Sequence, residues 1–324
     1  MAQPQSGVCA EANLHGLHLF FNVLDGQDEA VRVALGQCER LQSELSDRFS
    51  ESMVSSFVAI GAQYWPHIYP ECIPKELKSF PHIRSHEHLM HTQPFDLLYV
   101  IRSDREDVNH LFAQSVRHML AGKVELVAHI RTFRFLDGRD FNGFIYGANT
   151  PHGRFKRQVA LVHDSECFED QGSYIHVQRV KFDLNRWQQL SLNDQEAIMG
   201  RSRLENEKLE NSLANNHAAL SELKSTDNLP LLLEQSMPFG DVFEQGSLWV
   251  SCAAKGDAFE ALLKTRVGNE QYYDAWLDYC QADMGAAFFA PSVQFLQKMA
   301  QLTETRRYRI RFLLSQALHQ FQRF

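Results

Sequence analysis

The sequence predicts an α+β protein built from two ferredoxin-like halves, with antiparallel sheets and flanking helices. Hydrophobic patterns in residues 14–135 follow the order β-α-β-β-α-β, which is the ferredoxin-like motif. A similar order of strands and helices recurs after residue 155. The chain has 324 residues, 44% of them hydrophobic, and its 23 Phe residues can fill an aromatic-rich core. We therefore expect an N-terminal half (1–152), a C-terminal half (153–302) and a tail (303–324).

The N-terminal half is predicted to contain four strands and two helices. Residues 14–23 are apolar and rich in β-forming types, which is typical of a strand. Residues 28–49 carry apolar side chains at helical spacing with charges between them, and so predict one amphipathic helix. The remaining predicted elements are strands at 56–61, 95–102 and 124–135 and a helix at 107–121.

The C-terminal half repeats this pattern after a loop. Residues 138–155 are rich in Gly, Asn and Pro, which favours a loop. A helix is predicted at 193–209, with Asn193 as its N-cap. The other predicted elements are strands at 159–162, 174–180, 248–253 and 286–291, and helices at 257–267 and from residue 293 onwards.

The tail, residues 303–324, is basic and amphipathic. A helix packed on the body of the protein or on a second subunit is the favoured interpretation. A peripheral helix that binds a membrane or a partner is the alternative.

Composition restricts the possible partners and the compartment. The net charge is −8 and the chain has no basic stripe, so we expect no nucleic-acid partner. Six scattered Cys without a C-x-x-C pair indicate reduced thiols rather than a disulfide framework. The N-terminus lacks the pattern of a secretory signal, and no apolar run approaches the length of a membrane span. These features predict a soluble, cytoplasmic protein.

A histidine cluster offers one candidate metal site, made of His82, His86, His88 and His91. His86 and His88 would share one face of a strand, and several imidazoles can hold Zn or Cu. No Cys or acidic residue stands at a diagnostic spacing beside them. An exposed His-rich loop is therefore the favoured interpretation.

Three features between residues 195 and 240 point to another kind of site. They are Gly200-Arg201-Ser202-Arg203, the isolated His217, and the turn Met237-Pro238-Phe239-Gly240. Together they resemble the haem-binding core of the dye-decolorizing (DyP-type) haem peroxidases. The resemblance extends over roughly residues 7–298, including 172–178 and 288–292. It implies two ferredoxin-like halves in a barrel-like arrangement, with haem b in the second half.

The resemblance assigns roles on the proximal side of the haem. It implies that His217 ligates the iron and that Arg201 binds a haem propionate, to which a guanidinium is well suited. Asp278 stands where some family members carry an acid that bonds the ligating His. Met237 and Phe239 are expected to contact the cofactor. By pattern alone, a surface residue is the favoured interpretation of the His, and the Arg and the Asp could equally be surface residues.

The distal side departs from the family pattern. The family signature Gly-x-x-Asp-Gly, followed by Thr-Glu-Asn-Pro, aligns with residues 143–151, in which Phe144, Gly147 and Asn149 are expected to contact the cofactor. Tyr146 replaces the Asp of that signature. Glu234 replaces the Arg that the family has three residues before the Met-Pro turn. The upstream Asp137 lies outside the frame and is not a substitute.

These replacements change what the distal groups can do with peroxide. Peroxide cleavage needs a base that moves a proton and a cation or donor that stabilises the leaving oxygen. Tyr, with an ordinary pKa of about 10, is a poor base but can donate a hydrogen bond, and Glu, at about 4.3, can act as the base if it faces inward. We therefore expect Glu234 to shuttle protons and Tyr146 to donate.

The sequence thus predicts a homo-oligomeric haem peroxidase that uses hydrogen peroxide to oxidise small aromatic donors weakly. The alternative is a non-peroxidatic descendant, either a haem carrier or sensor or a scaffold without haem.

Overall fold

The structure is a computed structural model that describes residues 2–83, 91–147, 150–269 and 272–321. The strands in this part of the chain are β1 (His15–Val23), β2 (Ser55–Gly61), β3 (Leu97–Ser103), β4 (Val124–Phe133), β5 (Ser173–Phe182), β6 (Leu233–Glu234), β7 (Met237–Gly240), β8 (Gln245–Ala253) and β9 (Cys280–Ala290). The helices are α1 (Asp28–Leu35), α2 (Cys38–Arg48), α3 (Trp65–Ile68), α4 (Glu106–Met119), α5 (Arg154–Ala160), α6 (Leu184–Gln188), α7 (Leu192–Met199), α8 (His217–Ser221), α9 (Ala258–Val267) and α10 (Val293–Phe321).

The strands form one antiparallel sheet in which both halves have the same internal order. The N-terminal half has the order β4-β1-β3-β2, and the C-terminal half has the order β9-β5-β8-β6, with β7 also paired to β8. In each half the first strand lies between the last strand and the one before it, as in the ferredoxin-like motif. The predicted duplicated α+β fold is therefore confirmed.

The two halves meet edge to edge within this sheet. Strand β2 pairs with β9, where Ile60 lies opposite Phe289. Among the described residues no ladder joins β4 to β6, the strands at the two ends. The expected barrel-like arrangement thus takes the form of a single open sheet. The predicted boundary between residues 152 and 153 stays a prediction.

The core is divided by the faces of the sheet. On β1, Phe20 packs in an inner cluster with Ile175 and Leu248 of the other half. The next residue, Phe21, points the opposite way and packs in a cluster that contains residues of α1, α4 and α10. Because side chains alternate along a strand, each half contributes one face to a shared interior and packs its other face against helices, which for the N-terminal half include α10. The outer face of the C-terminal half carries the candidate site.

The predicted helix at 28–49 is two helices, α1 and α2, which meet at Gly36. A Cβ atom at Gly36 would lie only 2.4 Å from the Cβ of Ala300 in α10. Position 36 therefore requires a glycine, because α10 crosses the first two helices at this point. Both short helices remain amphipathic, which explains why the pattern looked continuous.

Two predictions in the C-terminal half are wrong. Residues 154–160 form α5 rather than a strand at 159–162, because Lys156, Val159 and Ala160 are buried at helical spacing. The helix predicted at 193–209 begins one residue earlier and ends at Met199, where Gly200 adopts a φ of +74°. Its N-cap is Ser191, whose hydroxyl accepts a hydrogen bond from the Asp194 amide, not Asn193.

The C-terminal tail and the histidine cluster are only partly described. Helix α10 runs without a break through residue 303, and Arg307 donates to Glu29 of α1 at 2.9 Å. His86 and His88 lie outside the described residues. In the described part of the chain, no three His, Cys, Asp or Glu side chains come close enough to hold a metal ion. None of its helices combines the length and the apolar character that a bilayer crossing requires.

Candidate active site

A cavity of about 160 Å³ lies on the outer face of the C-terminal half. Its walls come from the loop at 138–147, from β6 and β8, and from α8 and α9. Residues far apart in sequence therefore meet in one place. The predicted site residues that line it are Phe144, Tyr146, Gly147, Arg201, His217 and Glu234.

His217 is the first residue of α8, and the local sequence fixes its position. Asn216 caps the helix by accepting a hydrogen bond from the Ala219 amide. A Cβ atom at Gly200 would lie 2.0 Å from the Asn216 side chain, so the Gly of the Gly-Arg run is required for this packing. The Gly-Arg motif and the histidine are thus parts of one local structure.

A buried carboxylate orients the imidazole of His217. Nδ1 of His217 lies 2.8 Å from Oδ2 of Asp274, a side chain with no exposed surface. Asp274 also accepts from Nε of Arg266 at 2.8 Å and from the Trp276 amide at 3.0 Å. This bond occupies Nδ1 and leaves Nε2 as the ring nitrogen for a ligand on the cavity side.

The charge on Asp274 is set by its partners. Burial acts to raise the pKa of this carboxyl, but His217 and Arg266 outweigh burial and hold the pKa well below its ordinary value. The carboxylate is therefore ionised at neutral pH. A histidine bonded to an ionised carboxylate is a more basic ligand.

The structure corrects the expected partner of His217, which is Asp274 rather than Asp278. Asp274 stands just before a 3₁₀ turn, Ala275–Tyr279, and Asp278 stands near its other end. There Asp278 accepts a hydrogen bond from the Tyr273 hydroxyl at 2.9 Å.

Arg201 lines the cavity, where its guanidinium is bound by a carboxylate of the chain itself. It donates to Glu222 at 2.7 Å and to the Asn206 carbonyl at 2.9 Å. Lys208 also pairs with Glu222. Two cations, Arg201 and Lys208, therefore share the carboxylate of Glu222, which follows His217 by five residues.

Tyr146 and Glu234 both reach the cavity. Burial raises the pKa of Tyr146, only partly opposed by Arg134 and Arg102, so its hydroxyl keeps its proton at neutral pH. The hydroxyl of Tyr146 can therefore donate a hydrogen bond; its role as a donor to peroxide stays a prediction. Glu234 lies on β6 opposite Ser251 and is half-buried.

Met237 and Phe239 do not line the cavity, contrary to expectation. The Met237 sulfur lies 3.5 Å from the Thr132 hydroxyl of β4, and Phe239 belongs to the inner core. Side chains alternate along extended chain, so the cavity receives Glu234 and Ser236 while Met237 turns the other way. Asn149 lies outside the described residues.

Sequence reasoning missed Asp140, a buried carboxyl that lines the cavity. Its side chain is 7% exposed and accepts a hydrogen bond from the Phe141 amide at 2.9 Å. Burial raises the pKa of Asp140 to about 7, opposed by the Phe141 amide and the Ser247 hydroxyl. The sequence contains one signal for this residue: Asp140 is an acidic residue six positions before Tyr146, inside a loop rich in Gly and Phe.

Two buried guanidinium groups near the cavity were also missed. Arg102 of β3 is 4% exposed and donates to the Gln235 carbonyl at 3.0 Å. Gln235 stands between Glu234 and Ser236, which both line the cavity. Arg266 stacks over the Trp249 ring at 4.1 Å. Its Nη2 atom is buried without a hydrogen-bond partner among the described residues.

The fold and the site together define a class. Two ferredoxin-like halves support a cavity with a histidine whose second nitrogen is held by a carboxylate, the arrangement of histidine-ligated metal and haem sites. Residues 5–134 match the family model described as "Dyp-type peroxidase, N-terminal", and residues 137–295 match "Dyp-type peroxidase, C-terminal". The chain belongs to the DyP-type peroxidase family.

Relatives and solved structures are similar over most of the chain. A dye-decolorizing peroxidase of Rhodococcus erythropolis is 29% identical over 86% of this chain and 84% of its own length. A Shewanella oneidensis protein described as a DyP-type peroxidase superposes with a TM-score of 0.88 and 37% identity, covering 92% of this chain and 99% of the other. A Rhodococcus jostii DypB variant in complex with heme superposes with a TM-score of 0.83 and 27% identity, covering 91% and 97%.

Proposed function

We propose that this protein is a haem peroxidase that uses hydrogen peroxide to oxidise small aromatic donors, at a reduced rate. The observation that carries the proposal is the bond between His217 and the buried Asp274 at the cavity of a chain from this family. Haem b is the cofactor, and it supplies the redox-active iron when bound.

The residues present fit a haem. His217 offers Nε2 because Asp274 occupies its other nitrogen. Arg266 has a buried, unpartnered Nη2 in the cavity wall, and Arg201 adds a second guanidinium for a carboxylate group. Apolar side chains complete the wall, as expected for a cofactor site; they include Phe259, Leu262 and Leu263.

Each group of the chain has a physical role in this proposal. Asp274 fixes the tautomer and orientation of His217 and raises its basicity. On the other side, the Tyr146 hydroxyl donates a hydrogen bond to the peroxide, and Glu234 presents a carboxylate. No guanidinium stands at the position of Glu234, so the leaving oxygen lacks the cation that the family pattern places there. The reduced rate follows from that missing charge.

A haemin titration followed by absorbance tests haem binding. We expect a one-to-one Soret band for the wild type and for His110→Ala, which removes an exposed histidine of α4. His217→Ala should lose that band. An unchanged band in His217→Ala would refute the assignment of the ligand.

The double variant Tyr146→Asp/Glu234→Arg tests the explanation for the low rate. Restoring a base and a cation should raise the rate of reaction with peroxide by about 10-fold or more. Stopped-flow absorbance of the reconstituted proteins measures it. No gain in the double variant would locate the loss elsewhere in the chain.

A second function, a haem carrier or sensor without peroxidase activity, is favoured by the same two replacements. Bound haem whose spectrum ignores peroxide would support it over the peroxidase. A protein that binds no haem would be a scaffold.

The compartment and the assembly state are part of the same proposal. We expect a cytoplasmic homo-oligomer, and one structurally similar protein is described as the encapsulated DyP-type peroxidase of Mycobacterium smegmatis. Cell fractionation and analytical ultracentrifugation measure these two properties.

A further inference from the structure

We propose that Asp140 is the residue that moves the proton during peroxide cleavage in this cavity. The inference rests on the proposed peroxidase function and assigns to it a residue outside the family's Gly-x-x-Asp-Gly frame. It replaces the sequence-based expectation that Glu234 shuttles the proton.

The loop holds Asp140 firmly at the wall of the cavity. The Asp140 amide donates to the Phe144 carbonyl at 2.8 Å, and the Gly143 amide donates to the Asp140 carbonyl at 2.9 Å. One carboxylate oxygen, Oδ1, accepts from the Phe141 amide. The side chain is thus fixed by its own loop, which also carries Tyr146 into the same cavity.

The surroundings of Asp140 leave its carboxyl without a cationic partner in the described part of the chain. The groups that face it are the Ser247 hydroxyl of β8, the Tyr146 hydroxyl of the loop and the Cys280 thiol of β9. The guanidinium groups that contact the loop bind other groups: Arg139 pairs with Asp137, Arg203 donates to Gln195, and Arg134 donates to the Asp137 carbonyl.

This environment suits proton exchange near neutral pH. Burial without a cation raises the pKa of Asp140 to about 7. A general base works best when its pKa lies near the working pH. Tyr146 keeps its proton, and Glu234 is only half-buried at the strand that ends the sheet.

The proton balance of the step is closed. The ionised Asp140 takes one proton from one oxygen of hydrogen peroxide, and the Tyr146 hydroxyl donates a hydrogen bond to the other oxygen. Asp140 returns the proton to that second oxygen as the O–O bond breaks, and this oxygen leaves as water. A bound haem would supply the two electrons that this cleavage requires and would keep the first oxygen.

The matched variants Asp140→Asn and Asp137→Asn, both reconstituted with haemin, test the inference. Asp137 belongs to the same loop, and its side chain is exposed. Both variants should bind haem as the wild type does. Asp140→Asn should react with hydrogen peroxide about 100-fold more slowly, whereas Asp137→Asn should stay within about twofold.

The pH dependence of the reaction with hydrogen peroxide provides a second test of the inference. Below a pH of about 7 the wild-type carboxyl carries its proton and cannot accept another, so the rate should fall as the pH falls through that value. Asp140→Asn should lose this inflection. In haem-free protein, infrared titration should show a carboxyl band that disappears near the same pH in the wild type and is absent from Asp140→Asn.

The outcomes separate the inference from the proposed function. Unchanged rate and pH profile in haem-loaded Asp140→Asn would overturn the inference alone, as would an Asp140 carboxyl already ionised at about pH 5. A wild type that binds no haem would overturn both. If Asp140→Asn does not fold, Asp140→Glu decides: a retained rate with a shifted inflection supports the inference, and a retained rate with an unshifted inflection refutes it.

Discussion

At the residue scale, two buried Asp residues beside one cavity have opposite environments. Asp274 lies between His217 and Arg266, which lower the pKa of its carboxyl. Asp140 has no such cationic partner among the residues that the structure describes, and burial raises the pKa of its carboxyl to about 7. Pairs of titratable groups whose pKa values are pushed apart mark the division of acid–base roles in a site. One Asp can therefore hold a permanent charge while the other exchanges a proton.

The pairing of His217 with Asp274 predicts that haem binding and activity depend on Asp274. The sequence resemblance pointed to Asp278 instead. Asp274→Asn should weaken haem binding or lower peroxidase activity by about 10- to 100-fold, because the imidazole loses its negative partner. Asp278→Asn removes the same charge four residues later and should change either quantity less than about twofold. Haemin titration measures the first quantity, and a peroxidase assay of the haem-loaded variants measures the second. Equal effects in the two variants would contradict the assigned pairing.

The site residues show which positions at the cavity a sequence motif can predict. His217, Arg201, Tyr146 and Glu234 line the cavity as their motifs predict. Met237 does not, because neighbouring residues of an extended segment face opposite sides. Asp274 and Asp140 were not predictable, since their environments come from contacts across long stretches of chain; the His217–Asp274 bond alone spans 57 residues.

At the element scale, hydrophobic pattern predicted strands better than helix boundaries. Strands β2 and β3 are buried along their whole length and appear as continuous apolar runs. The apolar run at 159–162 looks the same in sequence, but part of it belongs to α5, since a short run does not distinguish the two. The break between α1 and α2 depends on α10, more than 250 residues later in the chain.

That helix contact can be tested at Gly36. Gly36→Val should lower the free energy of unfolding by about 1–3 kcal/mol, because its side chain would collide with Ala300 of α10. Adding Ala300→Gly should restore part of the loss, which a steric origin requires and a general helix effect does not. Denaturant unfolding of the two single variants and the double variant measures the coupling. Additive effects would show that the two residues do not meet.

At the scale of the whole molecule, the candidate haem site lies against the sheet of the C-terminal half, but its support comes from both halves. The inner cluster mixes residues from the strands of the two halves, and β2 pairs directly with β9. Gln235, between two cavity residues, donates to the Gly7 and Val8 carbonyls and accepts from Arg102, all in the N-terminal half. The halves should therefore unfold as one cooperative unit.

This cooperativity predicts how haem stabilises the chain. Haemin at 100 times its dissociation constant should raise the free energy of unfolding by about 2.7 kcal/mol, because only the folded chain binds it. Hydrogen exchange should show equal gains in protection in β1 and β3 of the N-terminal half and in β8 of the C-terminal half. His217→Ala should show no gain in either half. A gain confined to the C-terminal half would mean that the shared sheet and inner core do not couple the two halves, and that the haem stabilises only the half that binds it.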